Sequence, residues 1–545
     1  MGQGLWRPSG IALLVCVALA AVSACGDGAP KRKNVILITL DTTRADYLSC
    51  YGVHPGVTPN LDAIAAEGTR FDMAISTAGV TPVSHASILT GLNNQEHRLR
   101  VLSADGGYRL PDSVPTLATI LEKAGYHTVA VHSALPVSRH FGFKRGFDVF
   151  EDLDGEVKPT ADGKKDEWDT NTFQRRSDET TELVEKSLKG DEPFFLWIHY
   201  WDPHDWGRKP PDEYLPPHDE MYDANGELKR PGTALYAAEL HYEDLQIGKL
   251  FDWLKQKGLY ENSIVAITAD HGQGLMEHDW AAHRLLYQEQ VHVPLLVRIP
   301  GEQQKASVPD LVRTIDIAPT ILDYTGIAAP QHQSGRSLRA LIDGKADEKR
   351  VAFGDQINGY DRNAGMKDRR PFDHFLYMAI DWPWKLLYRP LTPEMSLLYK
   401  LDDDPHEANN LFASNHDDAV RMLKLLARAR PWVRGEFEKI TTVDNGNVEK
   451  GLAGLGYTGG DTVNPQWIWV CPEHPEQRME NWDAKCPICK EPPVMRVDPA
   501  CYWACPDHPE QKMSGPDQRC TAQVTDETGA TSPCAKLPIL VTPKR

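Results

Sequence analysis

Three side chains sit where two apolar runs stop: Asp41 after Val35–Leu40, and Asp270 with His271 at the end of SIVAITADHG. Buried strands of open α/β sheets deliver functional residues at their carboxyl ends. Two such ends side by side would gather two carboxylates and an imidazole into a hard-ligand cluster for a divalent cation. Oxygen donors suit calcium, magnesium or manganese, and the imidazole tilts the choice toward manganese or zinc. A second kind of metal chemistry is written near the C-terminus. Residues 471–479 read CPEHPEQRM and residues 505–513 read CPDHPEQKM, a repeat at a spacing of 34. Cys471, His474, Cys486 and Cys489 form a C-x2-H…C-x2-C set, the donor pattern of tetrahedral zinc. In the second copy Cys505, His508 and Cys520 keep the offsets, and Cys534 follows only after an insertion. Disulfides are the alternative outside the cytoplasm. Histidines at matching offsets favour metal, since a disulfide has no use for them.

The elements that must position these groups alternate along the chain. Strand-like runs are Val35–Leu40, HTVAVHSA, PFFLWIHYW, SIVAITADHG and VPLLVRIPG, separated by helix-like stretches such as ALYAAELHYEDLQIGKLFDWLKQKG. TPNLDAIAAEGTRF has helical spacing, with Thr58 and Pro59 as start signals and Gly68 as a stop. This alternation predicts an α/β body over residues 33–345 with a mainly parallel sheet flanked by helices. Residues 346–445, with FLYMAIDWPWKLLYRP and the helical DAVRMLKLLARARPWV, predict a smaller α+β subdomain. A Gly-, Asn- and Thr-rich linker (446–467) leads to the Cys/His module at 468–545.

The chain begins with one Arg, an apolar run from Ile11 to Val22 and small residues ahead of Cys25. That run is short for a membrane span and has the layout of a secretory signal. VSAC resembles the bacterial lipobox, which implies a signal peptide over 1–24, a lipidated Cys25 followed by a linker to residue 32, and an extracytoplasmic, membrane-anchored lipoprotein on the periplasmic side or the cell surface. The 545 residues carry a formal net charge of -18, which argues against a nucleic-acid partner. An anionic substrate would need local cations to overcome that field. The sequence names no protein partner.

The segments DTTRADYLSCYG, TPNLDAIAAEGTRF, SHASILTG, FKRGFDVFED, IHYWDPH, ADHGQGLMEHDWAAH and LYKLDDDPHEANNLF stand in the order and spacing of the sulfatase family, within the alkaline phosphatase superfamily. The chain resembles that family over roughly residues 33–460. The resemblance implies an alkaline-phosphatase-like fold, a metal held by Asp41, Asp270 and His271, and a nucleophile at Thr81. It places His204 near the oxyanion or leaving group as the preferred proton donor. His283 falls where many formylglycine sulfatases set a lysine against the sulfate. His85 would orient the transferred group, and Asp202 with His204 and His283 offers a second metal site as an alternative. Members commonly carry two adjacent Asp residues at the first ligand position, whereas Leu40 precedes Asp41 here.

Thr81 is the main departure. Formylglycine forms from Cys or Ser because only a primary Cβ becomes an aldehyde, and the maturation motif's proline and arginine are replaced by Val83 and His85. Related phosphodiesterases, phosphatases and transferases use an unmodified Thr or Ser on a metal that lowers the hydroxyl's pKa. The expected activity is therefore metal-dependent cleavage of a phosphate or sulfate ester with unmodified Thr81. The alternatives are sulfuric ester hydrolysis after atypical maturation, or a catalytically degenerate metal-binding scaffold. Ser84, Ser76 and Thr77 are fallback nucleophiles, and a helix N-cap is the structural job open to Thr81 before Pro82.

Overall fold

The computed structural model describes residues 31–429 apart from 103–108, 154–172, 191–192, 205–209, 219–231, 361–368 and 391; in the tail it describes 467–471, 474, 477–479, 486–490 and short strands between 494 and 541. The N-terminal signal, Cys25 and most of the linker after it lie outside the described residues, as do Cys505, His508, Cys520 and Cys534. Among the described residues no helix is long and apolar enough to cross a membrane.

Nine strands build the main sheet: β1 (Asn34–Leu40), β2 (Thr69–Ile75), β3 (His127–His132), β4 (Val149–Glu151), β5 (Phe194–Tyr200), β6 (Ser263–Ala269), β7 (His292–Val293), β8 (Leu295–Arg298) and β9 (Ser307–Arg313). Their order is β4-β3-β5-β1-β6-β8-β2-β7, with β9 on β2. The half that carries the apolar runs is parallel: β4 on β3, β3 on β5, β5 on β1 and β1 on β6. Every residue of β1, β5 and β6 is buried, as a parallel sheet covered on both faces requires. β8 runs antiparallel to β6, so VPLLVRIPG closes the parallel run instead of extending it.

The helix Pro59–Glu67 starts after Thr58 and ends before Gly68, at the signals read from the sequence. The long helix Thr233–Gln256 buries Leu240, Ile247, Leu250 and Leu254, its apolar stripe, against the sheet's core. Four antiparallel strands form the second sheet, in order β10 (Ala352–Gln356), β11 (Leu376–Asp381), β12 (Trp384–Tyr388) and β13 (Leu397–Lys400), and the helix His416–Ala429 packs on β11 and β12. The tail repeats itself structurally. β14 (Trp467–Val470) pairs β15 (Arg478–Met479) through Trp469 and Met479. Further on, Tyr502–Ala504 pairs Lys512–Met513 through Trp503 and Met513, at the same offset as the sequence repeat.

Candidate active site

Strand register assembles the site. Leu40 pairs Tyr200 on one side and Ala269 on the other. One residue later the sheet ends, leaving Asp41 and Asp270 side by side: Asp41 N–H donates to the Tyr200 carbonyl (2.9 Å), and Asp270 N–H to the Leu40 carbonyl (3.4 Å). Asp270 Oδ1 accepts from the backbone N–H of His271 (2.7 Å) and Thr42 (3.2 Å). Thr42 holds a positive φ of 49°, unusual for a β-branched residue, at the bend that turns the chain under Asp270.

The remaining oxygens define a hole for positive charge. Asp41 Oδ1 and Asp270 Oδ2 are buried and have no hydrogen-bond partner among the described residues. His271 Nδ1 donates to the Gly272 carbonyl (2.9 Å), which leaves Nε2 as a lone pair 3.3 Å from Asp270 Oδ2. One ligand atom from each of Asp41, Asp270 and His271 lies within 4.8 Å of the others. Burial, then the charges of Asp270 and Glu243, push the Asp41 carboxyl well up, and burial does the same to Asp270. Burial pulls His271 down to about 4. Acceptors facing acceptors in a dry pocket need a proton or a cation between them. The donor set of two carboxylates and a neutral imidazole fits a divalent ion.

Thr81 stands over this cluster, its Oγ1 3.3 Å from His271 Nε2. It is the first residue of the helix Thr81–Thr90, while Val80 occupies the cap position without a side-chain bond. The hydroxyl is therefore aimed at the cluster and does not cap the helix, and the helix N-terminus adds its partial positive charge at the same spot. The fallback hydroxyls are engaged elsewhere: Ser84 on the Val80 carbonyl, Ser76 on the Ala78 carbonyl, Thr77 on Ser87.

Three imidazoles form a row beside Thr81. The rings of His271 and His283 stack with centroids 4.6 Å apart, and His204 lies 5.3 Å from His283. His204 also stacks on Trp201 at 3.7 Å. His283 Nδ1 donates to the Gly79 carbonyl (2.7 Å), fixing its tautomer. Burial is the main force holding His204 and His283 well below their usual range, and the Arg284 guanidinium adds to it in both.

Two sequence-derived roles change. His85 is fully buried, with Nδ1 donating to the Thr81 carbonyl (2.8 Å) and Nε2 on the Thr39 hydroxyl (3.0 Å). Both nitrogens are engaged in these bonds, which tie His85 to the Thr81 helix, and Nδ1 also lies 3.6 Å from Asp270 Oδ2. Asp202 turns its carboxylate to the backbone and hydroxyl of Ser177, and burial raises it to about 6. Among the described residues it joins no metal-ligand group with His204 and His283.

Sequence reasoning passed over His199 and Arg284. His199 Nε2 donates to Asp41 Oδ2 (3.1 Å) and orients that carboxylate. Its strand position, opposite Thr39, was hidden because register is not written in either run alone. Arg284 is 3% exposed, and its charge bears on His204, His271 and His283. Its place directly after His283 was the available signal.

The tail site is compact too. Cys471 Sγ lies 3.3 Å from Cys489 Sγ, and His474 Nδ1 is 3.5 Å from Cys471 Sγ and 3.6 Å from Cys486 Sγ. The 3.3 Å between the Cys471 and Cys489 sulfurs is longer than a disulfide bond.

The sulfatase family model matches residues 33–327, and a model described as N-sulphoglucosamine sulphohydrolase, C-terminal, matches 276–429. An N-acetylglucosamine-6-O-sulfatase of Bacteroides thetaiotaomicron is 24% identical over 73% of this chain and 87% of its own. A multifunctional alkaline phosphatase superfamily protein of Trinickia caryophylli is 26% identical over 70% of this chain and 91% of its own. The fold is shared with a solved structure containing D-glucosamine-2-N,6-O-disulfate (TM-score 0.57, 21% identity, 73% of this chain and 98% of the other). It is also shared with the phosphonate monoester hydrolase of Silicibacter pomeroyi (TM-score 0.56, 21% identity, 75% of this chain and 97% of the other).

Proposed function

Because this chain belongs to the sulfatase family of hydrolases, we propose that it cleaves a sulfate ester or its phosphate counterpart with the unmodified hydroxyl of Thr81. The observation that carries the reading is the placement of Thr81 Oγ1 over Asp41, Asp270 and His271, 3.3 Å from the His271 lone pair. Those three residues would hold a divalent cation of the calcium, magnesium, manganese or zinc group. Such an ion supplies Lewis acidity that lowers the hydroxyl's pKa and offsets charge on the ester.

The chain's own groups account for the remaining work. Arg284 and the helix N-terminus at Thr81 draw the anionic ester into an otherwise acidic molecule. Thr81 gives up its hydroxyl proton to solvent water, and its oxygen bonds to sulfur or phosphorus as the bond to the leaving oxygen breaks. His204 gives that oxygen its proton. Burial keeps His204 neutral in the unliganded protein, and the negative charge of a bound ester raises it into the acid's role. Water, giving a proton to the now neutral His204, then attacks the same sulfur or phosphorus, and the bond to the Thr81 oxygen breaks as that oxygen takes a proton back from solvent. His283 steadies the anion, and His199 and His85 hold Asp41 and the Thr81 helix in place. The sulfatase names among the relatives support sulfate, and the phosphonate monoester hydrolase fold keeps phosphorus in view.

Thr81→Ala is expected to lower turnover of matched aryl sulfate, phosphate monoester and phosphodiester substrates by roughly 10³-fold or more. Chelation should do the same, reversibly. Activity indifferent to both would remove the assignment. The Cys471, His474, Cys486 and Cys489 cluster is proposed to bind zinc, with Cys505, His508, Cys520 and Cys534 as its repeat. Cys25 is proposed as the lipid anchor of an extracytoplasmic, membrane-held protein.

A further inference from the structure

The second sheet reaches into the catalytic half through a closed ring of hydrogen bonds. Gly79 N–H donates to Gln356 Oε1 (3.2 Å), and Gln356 Nε2 donates to Asn358 Oδ1 (3.0 Å). Asn358 Nδ2 donates to the Arg284 carbonyl (2.9 Å), and Arg284 N–H returns to the Gly79 carbonyl (3.0 Å). Gln356, Asn358 and Arg284 are buried, exposed by 3%, 1% and 3%. The ring thus ties three separate pieces of chain: the end of β10 with the turn after it, the segment two residues ahead of Thr81, and the His283–Arg284 corner.

Each member is held to this geometry by something else. The Gly79 carbonyl also accepts from His283 Nδ1 (2.7 Å), so both site residues of the corner hang on one oxygen. A Cβ on Gly79 would lie 2.8 Å from the Leu285 carbonyl oxygen and 3.0 Å from Arg284 N, so the two segments touch backbone to backbone. Arg284 has a φ of 84°, a left-handed conformation a long side chain seldom takes and keeps only where its surroundings overdetermine it. Asn358 spends its second N–H on the Asp373 carbonyl (2.9 Å), which anchors the ring to the second sheet's own loop. Asp355 N–H reaches the Thr77 carbonyl (3.1 Å), docking β10 along the nucleophile's approach.

We propose that Gln356 and Asn358 are positioning residues for the reaction: through this ring the second subdomain sets the distance between Thr81 and the His283–Arg284 corner that receives the anion. Neither side chain touches reacting atoms. The inference rests on the Thr81 reading above, and its test separates the two.

The test uses the full chain and whichever aryl ester the wild type turns over. Gln356→Ala, Asn358→Ala and their double variant are compared with Thr81→Ala at a temperature well below every thermal midpoint. Opening the ring once lets a site group drift, and a displacement of about 1 Å costs roughly 100-fold in rate, so each single should lose about 10- to 100-fold in kcat. Opening it twice adds little, so the double should fall within about threefold of the worse single. Asn358→Asp keeps the side chain's shape but, when ionised, sets a buried carboxylate against the Arg284 and Asp373 carbonyl oxygens, so at alkaline pH and below its own thermal midpoint it should lose at least as much kcat as Asn358→Ala. Singles that keep wild-type kcat, a double whose loss exceeds that threefold margin, or a fully active Asn358→Asp would overturn the proposal. An active Thr81→Ala would instead strike the nucleophile assignment.

Discussion

His97 is fully buried, its Nε2 3.0 Å from the Ser87 hydroxyl and its Nδ1 accepting from Leu99 N–H. Burial, with Arg100 adding to it, pulls its pKa from 6.5 down to about 3. The unfolded chain takes up that proton near 6.5 and the folded chain only near 3, so between those values the unfolded state binds more protons. Stability is therefore lost as pH falls through this window, by up to about 1.4 kcal/mol per pH unit for one such group. His97→Gln should flatten the pH dependence of the urea midpoint by about one proton between pH 6 and pH 4. An unchanged slope would mean His97 is not held neutral. The same desolvation governs His204, His271 and His283. Residue type and strand-end position brought Asp41, Asp270 and His271 into view, and the family resemblance brought Thr81. The pairing of His199 with Asp41, the turn of Asp202 toward Ser177 and the commitment of both His85 nitrogens depend on tertiary contacts that no local pattern records.

At the scale of elements, apolar continuity revealed the central strands because both faces of β1, β5 and β6 are covered. β2 and β9 went unread, since their burial is interrupted by half-buried or exposed residues such as Arg70, Asp72 and Asp310. Helix limits were legible where a proline and a glycine bracket the helix, as around Pro59–Glu67. What joins elements was not legible. Lys385 on β12 and Glu407 form a 2.7 Å ion pair with neither side chain exposed, and Glu407 also accepts from Gln288 N–H at the head of the helix Gln288–Val291. Removing the Glu407 charge leaves buried Lys385 with the Gln288 amide oxygen (3.2 Å) and the more distant Glu289 charge, so Glu407→Gln should cost about 3 kcal/mol in urea unfolding. Lys385→Met combined with Glu407→Leu should cost clearly less. A double variant as damaged as the single would show that packing, not the stranded charge, sets the loss.

The whole molecule joins an ester-hydrolase body to a repeated Cys/His tail, and the two should fail separately. Cys471→Ser with Cys486→Ser is expected to release tail zinc, measured by elemental analysis of the full chain, while ester turnover stays within about twofold of wild type, since the tail ligands are not placed at the catalytic cluster. Loss of turnover would mean that the tail serves the active site. The repeat was plain in the sequence because residue type and spacing recur together in CPEHPEQRM and CPDHPEQKM. The dependence of the site on the second sheet was not, because it passes through two amides that look ordinary in a sequence. The central claim concerns Thr81. Trypsin should release Phe71–Arg98 intact, and mass spectrometry of that peptide, at rest and after quenching during turnover of a slow ester, tests it directly. Thr81 should be an unmodified threonine at rest and carry a sulfuryl or phosphoryl group during turnover. An oxidised residue 81 at rest, or an adduct on any other residue, would contradict it.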